Sequence, residues 1–227
     1  QRPTVGIFST GDELVEGNEP LLPGQIRDSN RFSLVALLES DGFETVDLGL
    51  IPDNEEAIET TVREGVAKCD ALVTTGGVSM GDYDYVKVVL NKMGDMRWMQ
   101  IAIKPAKPFA FGVVQGVPIF GLPGNPVSSM VSYLLLAKPA LNKMMGKKSI
   151  FPKVFHGIAA DDFRRRVDGK THFVRSFLHE EKGATLLSPI GKQGSHQLSG
   201  MAEANTLSII PDGDGVPKGN PIEYFRF

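Results

Sequence analysis

The 227-residue sequence predicts an α/β protein in two parts. The first is a three-layer α/β sandwich with a mostly parallel sheet over residues 1–148, and the second is a small all-β, barrel-like domain over residues 149–227. Three observations carry this expectation. Up to about residue 140, short runs rich in β-branched and aromatic residues alternate with longer stretches of helical period, as in strands joined by crossover helices. Residues 70–75 form an apolar run of the kind that a strand covered on both faces requires. Beyond Gly146 the helical period stops, and short alternating segments separated by Asp, Gly and Pro replace it.

Taken in order, residues 5–8 read as the first strand. Ser29-Asn30-Arg31 then opens a helix whose Phe32, Leu34, Val35, Leu37 and Leu38 cover one face of a sheet, and Gly42 stops it. Residues 44–49 alternate as a second strand. A helix over Glu55–Lys68 follows, capped by Asp53 or Asn54, with Ala57, Ile58, Val62 and Val66 turned inward. After the third strand at 70–75, a helix is expected over 84–93 and a strand over 97–103. Residues 109–113 and 117–122 read as a hairpin around Gln115-Gly116. A long helix over 127–145, interrupted at Pro139, completes the first part. In the second part, strands are expected over 153–159, 172–179, 184–187 and 206–211.

Composition narrows the function classes. A formal charge of -3 gives no basic excess, which argues against binding nucleic acid through its phosphates. No apolar run reaches the eighteen or so residues a membrane span needs, and no secretion signal opens the chain, so a cytoplasmic protein is expected. The single Cys69 reads as a small buried residue before a strand. The four histidines lack metal-ligand spacing, and Trp98 and the methionines read as core. Neither a Gly-x-Ser-x-Gly elbow nor a phosphate-loop lysine is present.

Ligands of parallel α/β sheets bind beyond the carboxyl ends of the strands, so the loops there matter most. Ser9-Thr10-Gly11-Asp12-Glu13 suits a phosphate, a divalent cation, an acid–base pair or a simple solvated turn. Asp28 and Ser29 suit either a helix cap or a ligand. Thr74-Thr75-Gly76-Gly77-Val78-Ser79-Met80-Gly81-Asp82 is the strongest signal. Gly76 and Gly77 permit close backbone approach, the hydroxyls of Thr74, Thr75 and Ser79 donate, and the following helix turns its N-terminal dipole toward an anion; Asp82 and Asp84 conflict with a phosphate, which points to a bridging cation or to a base-reading role. Lys104-Pro105-Ala106-Lys107-Pro108 presents two ammonium groups on a proline-stiffened loop toward an oxyanion. Pro123-Gly124-Asn125-Pro126, leading to Ser128, is a further anion site at a helix start.

Together and in this order, STGDEL at 9–14, GQIRDSN at 24–30, TTGGVSMGDYD at 74–84, KPAKP at 104–108 and GLPGNPVSS at 121–129 resemble the molybdopterin molybdotransferase family, bacterial MoeA and the gephyrin E domain. GKTHFVR at 169–175 and HQLSGMAEAN at 196–205 extend the resemblance through the β domain. It implies the molybdopterin-binding fold and the last step of molybdenum cofactor synthesis: molybdate is inserted into adenylylated molybdopterin, AMP is released, and Mg2+ is required. Carried over, Glu13, Asp53 and Asp84 lie near the pterin and its phosphates, with Asp82 and Asp84 as metal ligands. Thr10, Gly11, Asp28, Ser29, Gly76, Gly77, Ser79, Pro123, Asn125 and Pro126 contact substrate. Lys104, Lys107, Ser128, Arg175 and Ser199 form the molybdate pocket across both domains.

The resemblance further implies a homodimer in the full-length protein and a molybdopterin adenylyltransferase as partner. The sequence departs from the pattern at Ala106, where glycine is usual, and at Gln100, where some members carry lysine. Ala106 is a modest change at negative φ and a strained one at positive φ. The chain opens at Gln1-Arg2-Pro3 without methionine and lacks the family's two N-terminal domains, so it is expected to be the C-terminal half. Two alternatives stand beside this reading. One is an adenylyltransferase-like enzyme, which lacks the β domain; the other is a non-catalytic binding or scaffold module.

Overall fold

The structure is a computed structural model that describes residues 2–78, 84–191 and 193–227. Strand β1 (Thr4–Thr10) is buried over all but its first residue. Its alternation splits the core, with Val5 and Ile7 on one face of the sheet and Phe8 on the other. Two short strands that the sequence pattern does not reveal, β2 (Leu14–Val15) and β3 (Ile26–Arg27), pair in parallel beyond the end of β1.

Helix α1 (Asn30–Ser40) buries Leu34 and Leu38, four residues apart on one face. Ser29 occupies the cap position but makes no side-chain cap bond; Asp28 Oδ1 instead accepts from the Arg31 N–H at 3.3 Å. After β4 (Glu44–Ile51), helix α2 (Glu55–Lys68) begins where expected, and of the two candidate caps Asn54 makes the bond, accepting from the Ala57 N–H at 2.9 Å. Cys69 is buried and unpaired at the end of α2.

Strand β5 (Ala71–Thr75) is buried at every residue. Helix α3 (Tyr85–Met93) turns Val86, Val89 and Leu90 onto the sheet. The run expected as one strand over 97–103 divides in two. β6 (Asp95–Gln100) stays in the first sheet, while β7 (Ile103–Lys104) leaves it to pair with the second domain.

β8 (Pro108–Val114) and β9 (Val117–Leu122) form the hairpin, with Gln115 and Gly116 both at positive φ as a tight two-residue turn demands. The long helix is not broken at Pro139. It runs as α4 (Pro126–Ser132), a π-helical turn over Tyr133–Ala137, and α5 (Lys138–Met144), with the irregularity ahead of the proline. Pro139 lies in the first turn of α5, where its missing N–H costs little.

The first sheet has the order β4-β1-β5-β9-β8-β6, with β4, β1, β5 and β9 mutually parallel and β8 reversed. One face is covered by α1, α4 and α5, the other by α2 and α3, giving three layers. The chain moves outward from β1 to β4 and then crosses to β5 on the other side. The loops after β1 and β5 therefore flank the switch point where such sheets bind ligands.

The second part contains β10 (Phe155–Ala159), β11 (Phe163–Arg164), β12 (Thr171–Glu181), β13 (Ala184–Pro189), a short helix α6 (Ser199–Glu203), β14 (Thr206–Ile210), β15 (Gly215–Val216) and β16 (Pro221–Arg226). Strands β13, β10, β16, β14 and β12 pair in sequence, and β12 pairs back to β13, closing a barrel. The closing strand β16 lies beyond the last segment that alternation marks out. The long strand β12 also takes β7 at its first two residues, Thr171 beside Ile103 and His172 beside Lys104. Met201, Leu207 and Phe225 share a hydrophobic cluster with Phe109 and Val127, so the two parts are packed on a common core. No helix among the described residues is long and apolar enough to cross a membrane.

Candidate functional site

Four loops at the carboxyl edge of the first sheet converge. Gly76 follows β5 at φ 89°, and a Cβ there would lie 2.5 Å from the Thr10 carbonyl oxygen of the β1 loop. A Cβ on Gly124 would lie 3.8 Å from Gly76 Cα, so the β9 loop is packed on the same point. Asn30 joins them, its amide nitrogen donating to Thr75 Oγ1 at 2.9 Å and to the Gly124 carbonyl at 2.7 Å. Only glycine fits where backbone meets backbone at this range and φ is positive. Ser79 and Asp82 of the same loop lie outside the described residues.

Asp28 and Arg31 form the foundation of this edge. Asp28 is 4% exposed, accepts from the Ser9 hydroxyl, and pairs with Arg31 Nε at 3.1 Å. Arg31 is itself buried and also engages Asp47 and Glu16. Asp28, expected at the ligand, is thus already committed inside the fold. Sequence reading took Arg31 as part of a helix start; beside the local Asp28, its acidic partners Glu16 and Asp47 come from separate segments, which no local pattern reveals.

The carboxylates gather beside the glycine loop. Asp84 caps α3, its Oδ1 accepting from the Lys87 N–H at 3.2 Å, so the dipole expected to face a ligand anion is taken by the chain's own carboxylate. Burial first, and the neighbouring Asp53 charge further down, push the Asp84 carboxyl up to about 6 against the backbone bonds that lower it. Asp53 is also raised, by burial and then by Asp12 and Glu13. The acids at the ends of β1, β4 and β5 therefore feel one another. Among the described residues no three carboxylates stand close enough to form a complete metal site. The donor set nonetheless suits a hard divalent cation, whose charge would relieve the repulsion at Asp84 and Asp53.

The raised Asp84 has a testable consequence. Between its ordinary value near 4 and the folded value of about 6, the folded protein holds a proton that the unfolded chain has released, so this contribution to stability is lost as pH rises through 6. Asp84→Asn keeps a capping oxygen without the charge. It should stabilise the metal-free protein by about 1–2 kcal/mol at pH 8, the two-unit shift discounted for partial exposure, and by almost nothing at pH 4. Urea melts at the two pH values check this; an equal gain at both would exclude Asp84 as the source.

The lysine loop joins β7 to β8. Lys104, Lys107 and Ser128 line a single cavity of about 910 Å³ between the two parts, whose far side is lined by residues between 162 and 174 and by Pro189, Gln193, Gly194 and Ser195. Ala106, between the lysines, is 3% exposed with φ 76°. The alanine therefore sits in the strained left-handed region, the costlier of the two outcomes for a non-glycine residue here.

The other residues expected in this pocket are placed differently. Arg175 is 1% exposed and absent from the cavity lining; its guanidinium donates to the Gln197 carbonyl at 3.1 Å and the Gly194 carbonyl at 3.2 Å, and burial lowers its pKa. It holds from behind the loop that contributes Gln193, Gly194 and Ser195 to the wall. Ser199, exposed at the start of α6, is also outside the lining. The Ser195 carbonyl accepts the Val127 N–H at 3.0 Å. One free N–H of the α4 start, expected to meet an anion, is therefore used to dock the second domain.

Sequence reading missed the far wall. Arg164, Arg165, Arg166 and Lys170 face the cavity together with Asp162, Asp168 and His172. The visible signal was the run of three arginines before Asp168-Gly169-Lys170.

An open parallel layer with polar loops at its switch point, backed by a barrel that lines a cationic cavity, is the architecture of α/β proteins whose ligand sites lie at the carboxyl edge of the sheet. This chain belongs to the family of molybdopterin-binding domains found in MoeA proteins. Residues 6–143 match the domain described as "Probable molybdopterin binding domain", and residues 157–227 match the MoeA C-terminal region, domain IV. It is 42% identical over 208 residues to a protein named molybdopterin molybdenumtransferase from Haemophilus influenzae, covering 91% of this chain and 51% of that one. The namesake from Nostoc sp. is 36% identical over 222 residues, covering 94% and 50%.

Among solved structures, a molybdopterin biosynthesis MoeA protein from a Pyrococcus species superposes with a TM-score of 0.83 at 28% identity, over 99% of this chain and 54% of that one. The structure of a protein titled molybdenum cofactor biosynthesis protein B, at 17% identity and a TM-score of 0.51, covers 64% of this chain and shares the fold alone. The chain spans about half the length of the curated relatives it matches.

Proposed function

We propose that this chain is the C-terminal part of a molybdopterin molybdotransferase, made of a molybdopterin-binding domain over 1–148 and a β-barrel domain over 149–227. Its reaction opens the phosphoanhydride of adenylylated molybdopterin, releases AMP and places molybdate on the dithiolene. The observation that carries this reading is the cavity in which Lys104, Lys107 and Ser128 meet, with Ser128 on the helix that follows the β9 loop. A tetraoxo dianion needs several cationic and hydroxyl donors at close range, and these three supply them.

In this reading Gly76 and Gly77, with Thr10, Gly11, Ser29, Pro123, Asn125 and Pro126, shape the pterin and phosphate end. Asp28 acts through Ser9 and Arg31. Arg175 positions the 193–197 loop over the oxyanion, and Ser199 follows at its end. Asp84, with Asp53 and Glu13 nearby, would hold Mg2+, which when bound offsets charge between the carboxylates and the phosphate oxygens; Asp82 is a further candidate ligand. The full-length protein works as a homodimer in the cytoplasm and receives its substrate from a molybdopterin adenylyltransferase. The barrel domain favours this reading over an adenylyltransferase-like enzyme or a scaffold module.

The test is molybdate-dependent AMP release by full-length protein given adenylylated molybdopterin and Mg2+. Each lysine is expected to donate a charged hydrogen bond worth roughly 1.5–3 kcal/mol. Lys107→Ala should therefore slow release about 10- to 100-fold, with part of the loss recovered by raising molybdate. No release by the wild-type protein would refute the reading, and unchanged kinetics in both Lys104→Ala and Lys107→Ala would show that the loop is only structural.

A further inference from the structure

We infer that the barrel-domain wall of the lysine cavity, Arg164, Arg166 and Lys170, is a second anion subsite that takes the phosphate of an organic phosphate ester while the lysine loop holds the small oxyanion. The first observation is size. A cavity of about 910 Å³ lies near the upper end of those that enclose drug-sized ligands, far more room than a single tetraoxyanion fills. The second is charge. Six cationic side chains, Lys104, Lys107, Arg164, Arg165, Arg166 and Lys170, line it against two carboxylates, Asp162 and Asp168, in a chain whose formal charge is -3.

The wall is also built to present its cations. Residues 163 to 166 alternate: Phe163 is 2% exposed, Arg164 is exposed, the Arg165 side chain is 2% exposed, and Arg166 is exposed. Arg165 is spent internally. Its guanidinium pairs with Asp168 at 2.8 Å and Asp212 at 2.5 Å and donates to the carbonyls of Lys170, Ile210 and Pro211. That clamp folds the 165–170 loop back toward β12.

His172 continues the clamp, its Nε2–H donating to the Asp168 carboxylate with both oxygens at 3.1 Å, and this contact ahead of Lys170 holds the Asp168 carboxyl down to about 2. Through β12 the loop is then tied directly to the lysine loop, since His172 and Lys104 are partners in the ladder. Arg164 pairs with Asp162 at 3.0 Å on its exposed side, Lys170 with Asp168 at 3.3 Å, and no ion pair engages Arg166 among the described residues. Guanidinium groups on a rigid frame match the paired oxygens of a phosphate, whereas a flexible ammonium suits a compact ion.

The inference rests on the proposed reaction for the identity of its ligand, a nucleoside monophosphate leaving beside the oxyanion. Calorimetry on the 227-residue chain with AMP, adenosine, inorganic phosphate and molybdate tests it. AMP should bind in the presence of saturating molybdate, and tighter than inorganic phosphate, while adenosine should not bind. Arg166→Ala should weaken AMP about tenfold and leave molybdate unchanged, and Lys107→Ala should do the reverse; Arg164→Ala is the second variant, and circular dichroism verifies that each is folded.

Mutually exclusive binding of AMP and molybdate, AMP binding no tighter than inorganic phosphate, AMP affinity indifferent to both arginine variants, or no AMP binding at all would overturn the subsite. AMP binding that depends on Arg166 in a chain that fails to bind molybdate would instead sustain the subsite and count against the molybdotransferase reading.

Discussion

Arg31→Ala is expected to destabilise the protein by about 3–5 kcal/mol, the range for removing one partner from a buried ion pair. The guanidinium is buried among Asp28, Asp47 and Glu16, and Asp28 is fully buried at its side chain. Asp47 and Glu16 are each nearly half exposed and can return to water. Asp28 cannot. Without Arg31 its carboxylate keeps only the Ser9 hydroxyl and a backbone N–H, so it must either stay ionised at high cost or take up a proton.

Adding Asp28→Asn, which removes the uncompensated charge, should therefore recover part of the loss. For a chain of this size the midpoint of thermal unfolding should fall by roughly 10 °C. A loss below about 1 kcal/mol would mean that Arg31 is not the counter-charge on which Asp28 depends.

Gly76→Ala should cost about 2–4 kcal/mol and disable the site as well. Two effects combine. A residue with a Cβ at φ 89° pays roughly 1–2 kcal/mol for the left-handed conformation, and the new methyl would lie 2.5 Å from the Thr10 carbonyl oxygen. That oxygen is backbone at the end of β1 and cannot swing aside as a side chain would. The loop must move instead, taking it off Gly124 and out of register with Asn30, which ties Thr75 to the β9 loop.

Gly77→Ala is the useful contrast. Its Cβ would meet the Val86 side chain at 2.4 Å, so part of its strain can be relieved by a rotamer change. Denaturant melts should thus rank Gly76→Ala as the more damaging. The reverse order would show that the β1 and β5 loops are not braced against each other at Gly76.

Much of the fold is legible from local pattern. Helix α2 begins and ends where period and capping residues place it, and β5 is the apolar run that a strand covered on both faces requires. Such features depend on side chains a few positions apart, so the sequence carries them directly. The departures lie beyond what local period encodes. Residues 97–103 divide because β7 finds its partner in β12, and Pro139 is accommodated because a π turn shifts the irregularity ahead of it. The first outcome depends on a partner strand far along the chain, and the second on backbone geometry that hydrophobic period does not encode.

The site divides in the same way. Glycines, lysines and acids at the ends of apolar runs are legible as loop residues beyond the strand ends, where parallel sheets take their ligands. Which of those residues stay open at the surface of the edge was decided by packing. Asp28 turned inward to Arg31, Asp84 turned back to cap its own helix, Arg175 went behind the wall, and an arginine run far along the chain closed the cavity. The sequence by itself determined which chemical groups are carried and on which elements. Only the tertiary structure decided which charges are spent on one another and which remain for a ligand, because pairing and burial depend on distances that the order of residues does not set.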